Sequence, residues 1–141
     1  MKILLTGASG FIGRHLAQAL TAEGHQVTPV SRRNGQDMQT LLTPEAWLPL
    51  LQGVDAVINS VGIIAETRGQ TFEKLHHRAP AALFRACEQV GIRRVVQISA
   101  LGADAQAFTP YQLSKYAADE VLRRLPLEGV VLRPSLVYGQ G

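Results

Sequence analysis

Short apolar runs alternate along the chain with longer segments whose apolar positions recur every three to four residues. That alternation predicts buried strands separated by helices. The run from Lys2 to Thr6 ends at a glycine and predicts a first strand. Residues 11–23 carry apolar side chains at 12, 16, 19 and 20, a helical spacing, and Gly24 follows as a stop. Residues 25–31 predict a second strand, in which Pro29 suggests a strand end or a bulge. Residues 36–42 are ambiguous and allow a weak third strand. A helix is expected over 44–51, with Thr43 as N-cap, Pro44 at the first position and Pro49 distorting its end. Residues 54–60 predict another buried strand. A long helix over 70–90, irregular near Pro80, is capped by Gly91. A fifth strand over 93–99, a helix over 111–125 closed by Pro126, and a sixth strand over 129–133 follow.

Strands separated by helices of this length form parallel βαβ units with right-handed crossovers. The expected fold is α/β: a Rossmann-type doubly wound parallel sheet with helices on both faces. Ligands of such sheets bind at the carboxyl ends of the strands. A length of 141 residues predicts one domain. With 46% hydrophobic and 18% charged residues, disorder, collagen and coiled coil are excluded. The single cysteine, Cys87, excludes an internal disulfide and a multi-cysteine zinc site. Its helical context predicts a buried small side chain rather than a reactive thiol. Apolar stretches fall short of a membrane span, and the polar Thr6–Gly10 segment interrupts the N-terminal run too early for a signal peptide. The expectation is a cytoplasmic protein with no membrane span in this segment. Net charge is +3, from 14 basic and 11 acidic residues. The arginines are scattered in pairs, which predicts a solvated surface and no nucleic-acid partner.

Three patterns carry chemistry. The first is Gly7-Ala8-Ser9-Gly10-Phe11-Ile12-Gly13, between a predicted strand and a predicted helix. Gly7 can take the tight turn, Gly10 lets backbone approach a pyrophosphate, and Gly13 lets the helix lie close to the strand. The helix N-terminus then offers free N–H groups to phosphate. The spacing is Gly-x-x-Gly-x-x-Gly rather than Gly-x-Gly-x-x-Gly, and such a loop can also be only a tight turn. The second is an absence. About 20 residues further on, an NAD site usually supplies an acid to the ribose hydroxyls. Here the strand ends in Ser31-Arg32-Arg33, which suits a 2′-phosphate and favours NADP over NAD, unless this is an ordinary basic loop. Asp37 lies too far along for the ribose but can approach the adenine. The third is Tyr111-Gln112-Leu113-Ser114-Lys115. Residues four apart share a helix face. An ammonium beside a tyrosine favours the phenolate, so the Tyr111 pKa is expected to fall and suit acid–base work on a carbonyl/alcohol pair. Ser99, ending a strand, can hydrogen-bond a substrate oxygen or simply form a turn. His15, His25, His76 and His77 show no metal-ligand spacing. Gly-x-Ser-x-Gly and the P-loop pattern are absent. Trp47 and Tyr116 are read as packing residues.

With these residues together, the chain resembles the short-chain dehydrogenase/reductase superfamily. It is most similar to the extended or atypical branch, which includes nucleotide-sugar epimerases and the NAD(P)H-binding accessory subunit of respiratory complex I. The segments 6–13, 55–62, 91–100, 111–115 and 132–139 carry the resemblance, and the 99–104 run leans towards the complex-I-subunit-like group. The resemblance implies that Tyr111 is the acid/base and that Lys115 lowers its pKa and holds the nicotinamide ribose. Ser99 would orient the substrate carbonyl. Asn59, Ser60, Val61 and Gly62 would line the adenosine side. Pro134, Ser135 and Leu136 would present backbone to the carboxamide. Many relatives carry an Asn where this chain has His76, which is read here as an exposed helical histidine with a polar or relay role as the alternative.

The leading expectation is an NAD(P)-dependent oxidoreductase acting on an unknown small molecule. The alternatives are a non-catalytic NADP(H)-binding structural, assembly or redox-sensing protein, and a nucleotide-sugar epimerase or dehydratase. Extended members of the superfamily continue past residues 137–141 into their last strands and substrate region. A fragment is therefore expected, and the face bared by missing elements could support a homodimer.

Overall fold

Ile3, Leu4 and Leu5 are consecutive apolar residues, so β1 (Lys2–Thr6) is stable only if covered on both faces. All three are buried. The computed structural model describes residues 1–135. Around β1 lie β2 (Gln26–Val30), β3 (Ala56–Asn59), β4 (Arg94–Ile98) and β5 (Glu128–Leu132). They form one parallel sheet in the order β2-β1-β3-β4-β5. Strand order reverses between β1 and β3, the position at which doubly wound sheets bind ligands.

Helix α1 (Phe11–Ala22) connects β1 to β2. Right-handed crossovers place it on one face, and α3 (Ala79–Val90) and α4 (Pro110–Arg124) on the other. In α1, Ile12, Leu16 and Leu20 are half-buried against the sheet, and Gly24 at φ +91° follows the helix. Gly91 caps α3 at φ +81°. Thr109 starts α4, its Oγ1 accepting from the Gln112 amide at 3.1 Å. The core of Leu4, Val57, Val95, Leu83 and Phe84 is closed from the side by Trp47, whose indole N–H donates to the Leu41 carbonyl at 2.9 Å. Cys87 is fully buried in the same core, and burial pushes its thiol up to about 12.

Four expectations need correction. Residues 36–42 are not a strand. Asp37 accepts from the Gln39 amide at 3.0 Å and starts a 3₁₀ turn at Met38–Thr40, which buries Met38. Among the described residues the sheet therefore has five strands, not six. Pro29 makes neither an end nor a bulge: it pairs in register with Leu5. As β2 is an outer strand, its missing N–H leaves no neighbouring strand unpaired. The 44–51 helix is a single α turn, α2 (Pro44–Trp47), that tightens to 3₁₀ over Leu48–Leu51, where Pro49 has no N–H to give. The 70–90 helix starts late and widens into a π-helical turn at Glu73–Arg78 before α3. Pro80, in the first turn of α3, would clash with a carbonyl one turn earlier in an unbroken α-helix, and the wide turn relieves it.

The turn after β1 leaves no room for a further side chain at Gly13. A β-carbon on Gly13 would collide with the Gly7 carbonyl oxygen. At Gly69 the same atom would meet nothing within 4 Å. Gly13→Ala is therefore expected to lose stability at the upper end of the ~1–3 kcal/mol typical of overpacking. Gly69→Ala should be near neutral. Urea unfolding of the two variants beside the parent checks this; equal midpoints would refute it.

Candidate functional site

Gly7 takes φ +66°, and a β-carbon there would lie 2.8 Å from the Val61 nitrogen. Glycine at this point lets the turn after β1 touch the turn after β3. The Gly7 amide donates to the Val30 carbonyl at 3.0 Å, so the end of β2 joins the same junction. Helix α1 then opens at Phe11 with no side-chain cap, and its N-terminal amides remain available to an anion. A β-carbon on Gly10 would meet only the Gly7 oxygen, at 3.3 Å, so little protein fills this space.

Two adjoining hollows result. The first, of about 220 Å³, is lined by Gly7, Ser9, Gly10, Ser60, Val61 and Gly62, with Ser31, Arg32, Gln36 and Asp37 at its far end. The second, of about 300 Å³, is lined by Phe11, Ile12 and Gly13 and by Ile98, Ser99, Tyr111 and Lys115. They share Gly10, Ser60, Gly62 and Ile63. The structure thus brings most of the expected residues to one sheet edge. Ser31 is buried and donates to Asn34 Oδ1 at 2.6 Å. With its oxygen turned to the guanidinium, the Gln70 carboxamide accepts from Arg32 at 3.1 and 3.2 Å. Arg33 is exposed in a 3₁₀ turn and lines neither hollow, because the turn carries it past the rim. Pro134 accepts from the Leu101 amide at 3.1 Å, but neither it nor exposed Ser135 lines a hollow. Leu136 lies outside the described residues.

Lys115 and Tyr111 stand one turn apart on α4. The Lys115 ammonium is buried and donates to the carbonyls of Val61, at 3.1 Å, and Ile98, at 3.2 Å. Burial brings its pKa down to about 8, opposed by the nearby Asp119. Two of its three donors are used, leaving one for a ligand. The expected fall in the Tyr111 pKa does not arise from this geometry. Burial raises it, while the lysine charge is held by the two carbonyls.

Asn59 is a second correction. Its side chain lies in the sheet interior and does not line the adenosine side. Thr6 Oγ1 donates to Asn59 Oδ1 at 2.5 Å, and Asn59 Nδ2 donates to Gln97 Oε1 at 2.6 Å. Gln97 Nε2 donates to Asp119 Oδ1 at 3.2 Å, and Ser99 Oγ donates to Asp119 Oδ2 at 2.5 Å. Every donor points towards the carboxylate. Burial raises the Asp119 pKa, against lowering by Ser99, Gln97, Arg133 and Lys115. Gln97 and Asp119 were not expected. Their signals were polar residues in otherwise apolar strands, and Asp119 completing the four-residue series Tyr111, Lys115, Asp119.

His76 is buried, not exposed, because the π-helical turn rotates it inward. Its Nε2 accepts from the Ile63 amide at 2.9 Å, so the ring proton is on Nδ1, which meets Ser114 Oγ at 2.9 Å. Ser114 in turn donates to the Tyr111 carbonyl at 2.9 Å. The ring stacks on Phe72 and meets Tyr111 edge-on at 5.3 Å. Both nitrogens are committed, so His76 ties the 61–64 loop to α4 and does not relay protons. His77 is an outward i,i+4 partner of Glu73 at 3.0 Å.

Burial, assisted by the Lys115 charge, holds the His76 pKa near 3, well below the ordinary 6.5. A proton then binds the unfolded chain first. Stability from this residue is complete above pH 6.5 and is lost as pH falls towards 3. The slope approaches ~1.4 kcal/mol per pH unit for one proton. His76→Asn should lack this component. Urea melts of both proteins between pH 7.5 and 4.5 test it, and parallel profiles would count against a neutral buried imidazole.

Among the described residues no helix is long and apolar enough to cross a membrane. Residues 3–141 match the NAD dependent epimerase/dehydratase family. A ceramide reductase of Caulobacter vibrioides is 28% identical over 150 residues, covering 99% of this chain and 47% of that protein. The mitochondrial NADH dehydrogenase (ubiquinone) 1 alpha subcomplex subunit 9 of Arabidopsis thaliana is 34% identical over 152 residues, covering 94% of this chain and 37% of that one. A dTDP-4-dehydrorhamnose reductase structure from Clostridium acetobutylicum superposes with a TM-score of 0.80 at 24% identity, covering 100% of this chain and 55% of the other. The chain spans about half, or less, of the length of the curated relatives it matches. The sheet reverses its order at the glycine turn, and the family match runs through that turn and every strand: the chain belongs to the NAD dependent epimerase/dehydratase family.

Proposed function

We propose that this chain forms the dinucleotide-binding and proton-handling part of an NAD(P)-dependent oxidoreductase that interconverts a carbonyl and an alcohol. The observation that carries the reading is the junction of the two hollows. The side-chain-free turn at Gly10 opens directly into the space lined by Ser99, Tyr111 and Lys115. The residues present fit a nicotinamide dinucleotide. The α1 amides and Gly10 would hold the pyrophosphate, Ser60 to Gly62 the central part, and Lys115 a ribose hydroxyl. A bound nicotinamide supplies or accepts the hydride. In the reducing direction the Tyr111 hydroxyl gives its proton to the carbonyl oxygen and is reprotonated from solvent. In the oxidising direction Tyr111 takes that proton. With its pKa raised by burial, Tyr111 holds its proton until the reacting oxygen takes it. Likeness to a protein named as a reductase supports the catalytic reading, and likeness to one named as a subunit of a mitochondrial NADH dehydrogenase keeps a binding role as the second reading.

Arg32 at the end of the first hollow supports NADP over NAD. Arg33 has no such support. Titration at fixed ionic strength should show NADPH binding tighter than NADH. Arg32→Ala should remove roughly tenfold or more of that preference, in line with charge-assisted hydrogen bonds of ~1.5–3 kcal/mol, while Arg33→Ala should change it little. Equal affinities in the parent would refute the preference.

Tyr111→Phe is expected to abolish NADPH oxidation over a panel of ketones and aldehydes while leaving NADPH affinity within about twofold, because only the transferred proton is removed. Turnover at the parent rate in that variant would end the acid/base assignment. Tight NADPH binding with no turnover by the parent would favour the non-catalytic reading.

A further inference from the structure

Ser99 does not face the second hollow with a spare proton. Its hydroxyl donates to Asp119 Oδ2 at 2.5 Å, and both residues are buried. The other carboxylate oxygen is held by Gln97 Nε2, whose own acceptor is filled by Asn59, which is filled by Thr6. The series runs one way. While Asp119 is ionised, the Gln97 amide cannot turn over without setting its oxygen against the carboxylate and its nitrogen against that of Asn59.

This direction has a chemical consequence. A hydroxyl that donates inward has only lone pairs to show a ligand. A carbonyl oxygen also has only lone pairs, so the two oppose each other. Protonated Asp119 would instead donate to Ser99 Oγ and release the serine proton towards the carbonyl. We propose that Asp119 is the positioning residue of this site, holding the Ser99 proton so that Ser99 meets the reacting oxygen as an acceptor while Asp119 is ionised and as a donor once Asp119 is protonated. The inference rests on the oxidoreductase reading for its effect on turnover, but not for the position of the proton. The charged groups facing Asp119 are Lys115, one turn back on α4, and Arg133, which follows β5 and lies 3.6 Å away. Ser99 and Gln97 face it from β4. Burial raises the Asp119 pKa and both cations oppose it, so the carbonyl-ready state forms as pH falls through the Asp119 titration.

Two measurements on the 141-residue chain test this. The first is carbon-13 NMR titration of the aspartate carboxyls, which needs no substrate. Ser99→Ala removes a donor to the carboxylate and should raise the Asp119 midpoint by about one pH unit or more. An unchanged midpoint in a folded Ser99→Ala variant overturns the proposal. The second is NADPH oxidation by acetophenone as a function of pH. In the parent, the rate should rise as pH falls through the midpoint seen by NMR. In Asp119→Asn, Gln97 still donates to the carboxamide oxygen, so the amide nitrogen faces Ser99 and fixes it as a donor. That variant should show no such inflection. The same inflection in parent and Asp119→Asn overturns the proposal. Where Asp119→Asn does not fold, Ser99→Ala carries the decision through the titration. Absence of turnover by the parent counts against the oxidoreductase reading, and the NMR titration still decides where the proton lies.

Discussion

Two backbones meet at the carboxyl ends of β1 and β3 with no side chain between them, and the site is built around that contact. Gly7 abuts the Ser60–Val61 peptide, and Ser60 donates to Thr6 through both its amide and its hydroxyl. A β-carbon at the contact would push apart the strands that flank the switch point. The same contact aims α1 at the hollow and sets the Val61 carbonyl where Lys115 can reach it. Cofactor geometry and acid–base geometry therefore share one origin, a backbone approach that only glycine permits.

Behind this contact the sheet interior is unusually polar. Asn59, Gln97, Ser99, Lys115 and Asp119 are buried beside an apolar cluster that includes Leu4, Val57 and Val95. Burying such groups is costly unless each finds a partner. Here each does, and satisfied networks of this kind hold a unique arrangement. His76 adds a separate tie. Together the two arrangements fix the 61–64 loop and α4 relative to β4, so that Tyr111 and Ser99 address one space.

The strands, the glycine turn and the Tyr111–Lys115 pair were legible in the sequence because each is written locally, as an apolar run, a φ-permissive residue or a helical spacing. The misreadings have other causes. Residues 36–42 look extended until Asp37 captures the Gln39 amide. His76 reads as surface until the wide turn ahead of Pro80 rotates it inward. Asn59 reads as a cofactor contact until Gln97, thirty-eight residues later, claims its amide. The Tyr111 pKa was expected from its neighbour on the helix, but the lysine charge is held by carbonyls from the turn after β3 and the end of β4. Contacts between distant elements decide the last two points, and the first two turn on local features, the Asp37 turn and Pro80, that apolar spacing does not display.

Cys87 lends the molecule a clock. Its thiol is enclosed by the core and resists ionisation, so a reagent that attacks thiolates cannot act on it in the folded state. Modification waits for α3 to leave the sheet. Its rate therefore counts the openings of the fold, one molecule at a time, with the chain supplying its own label.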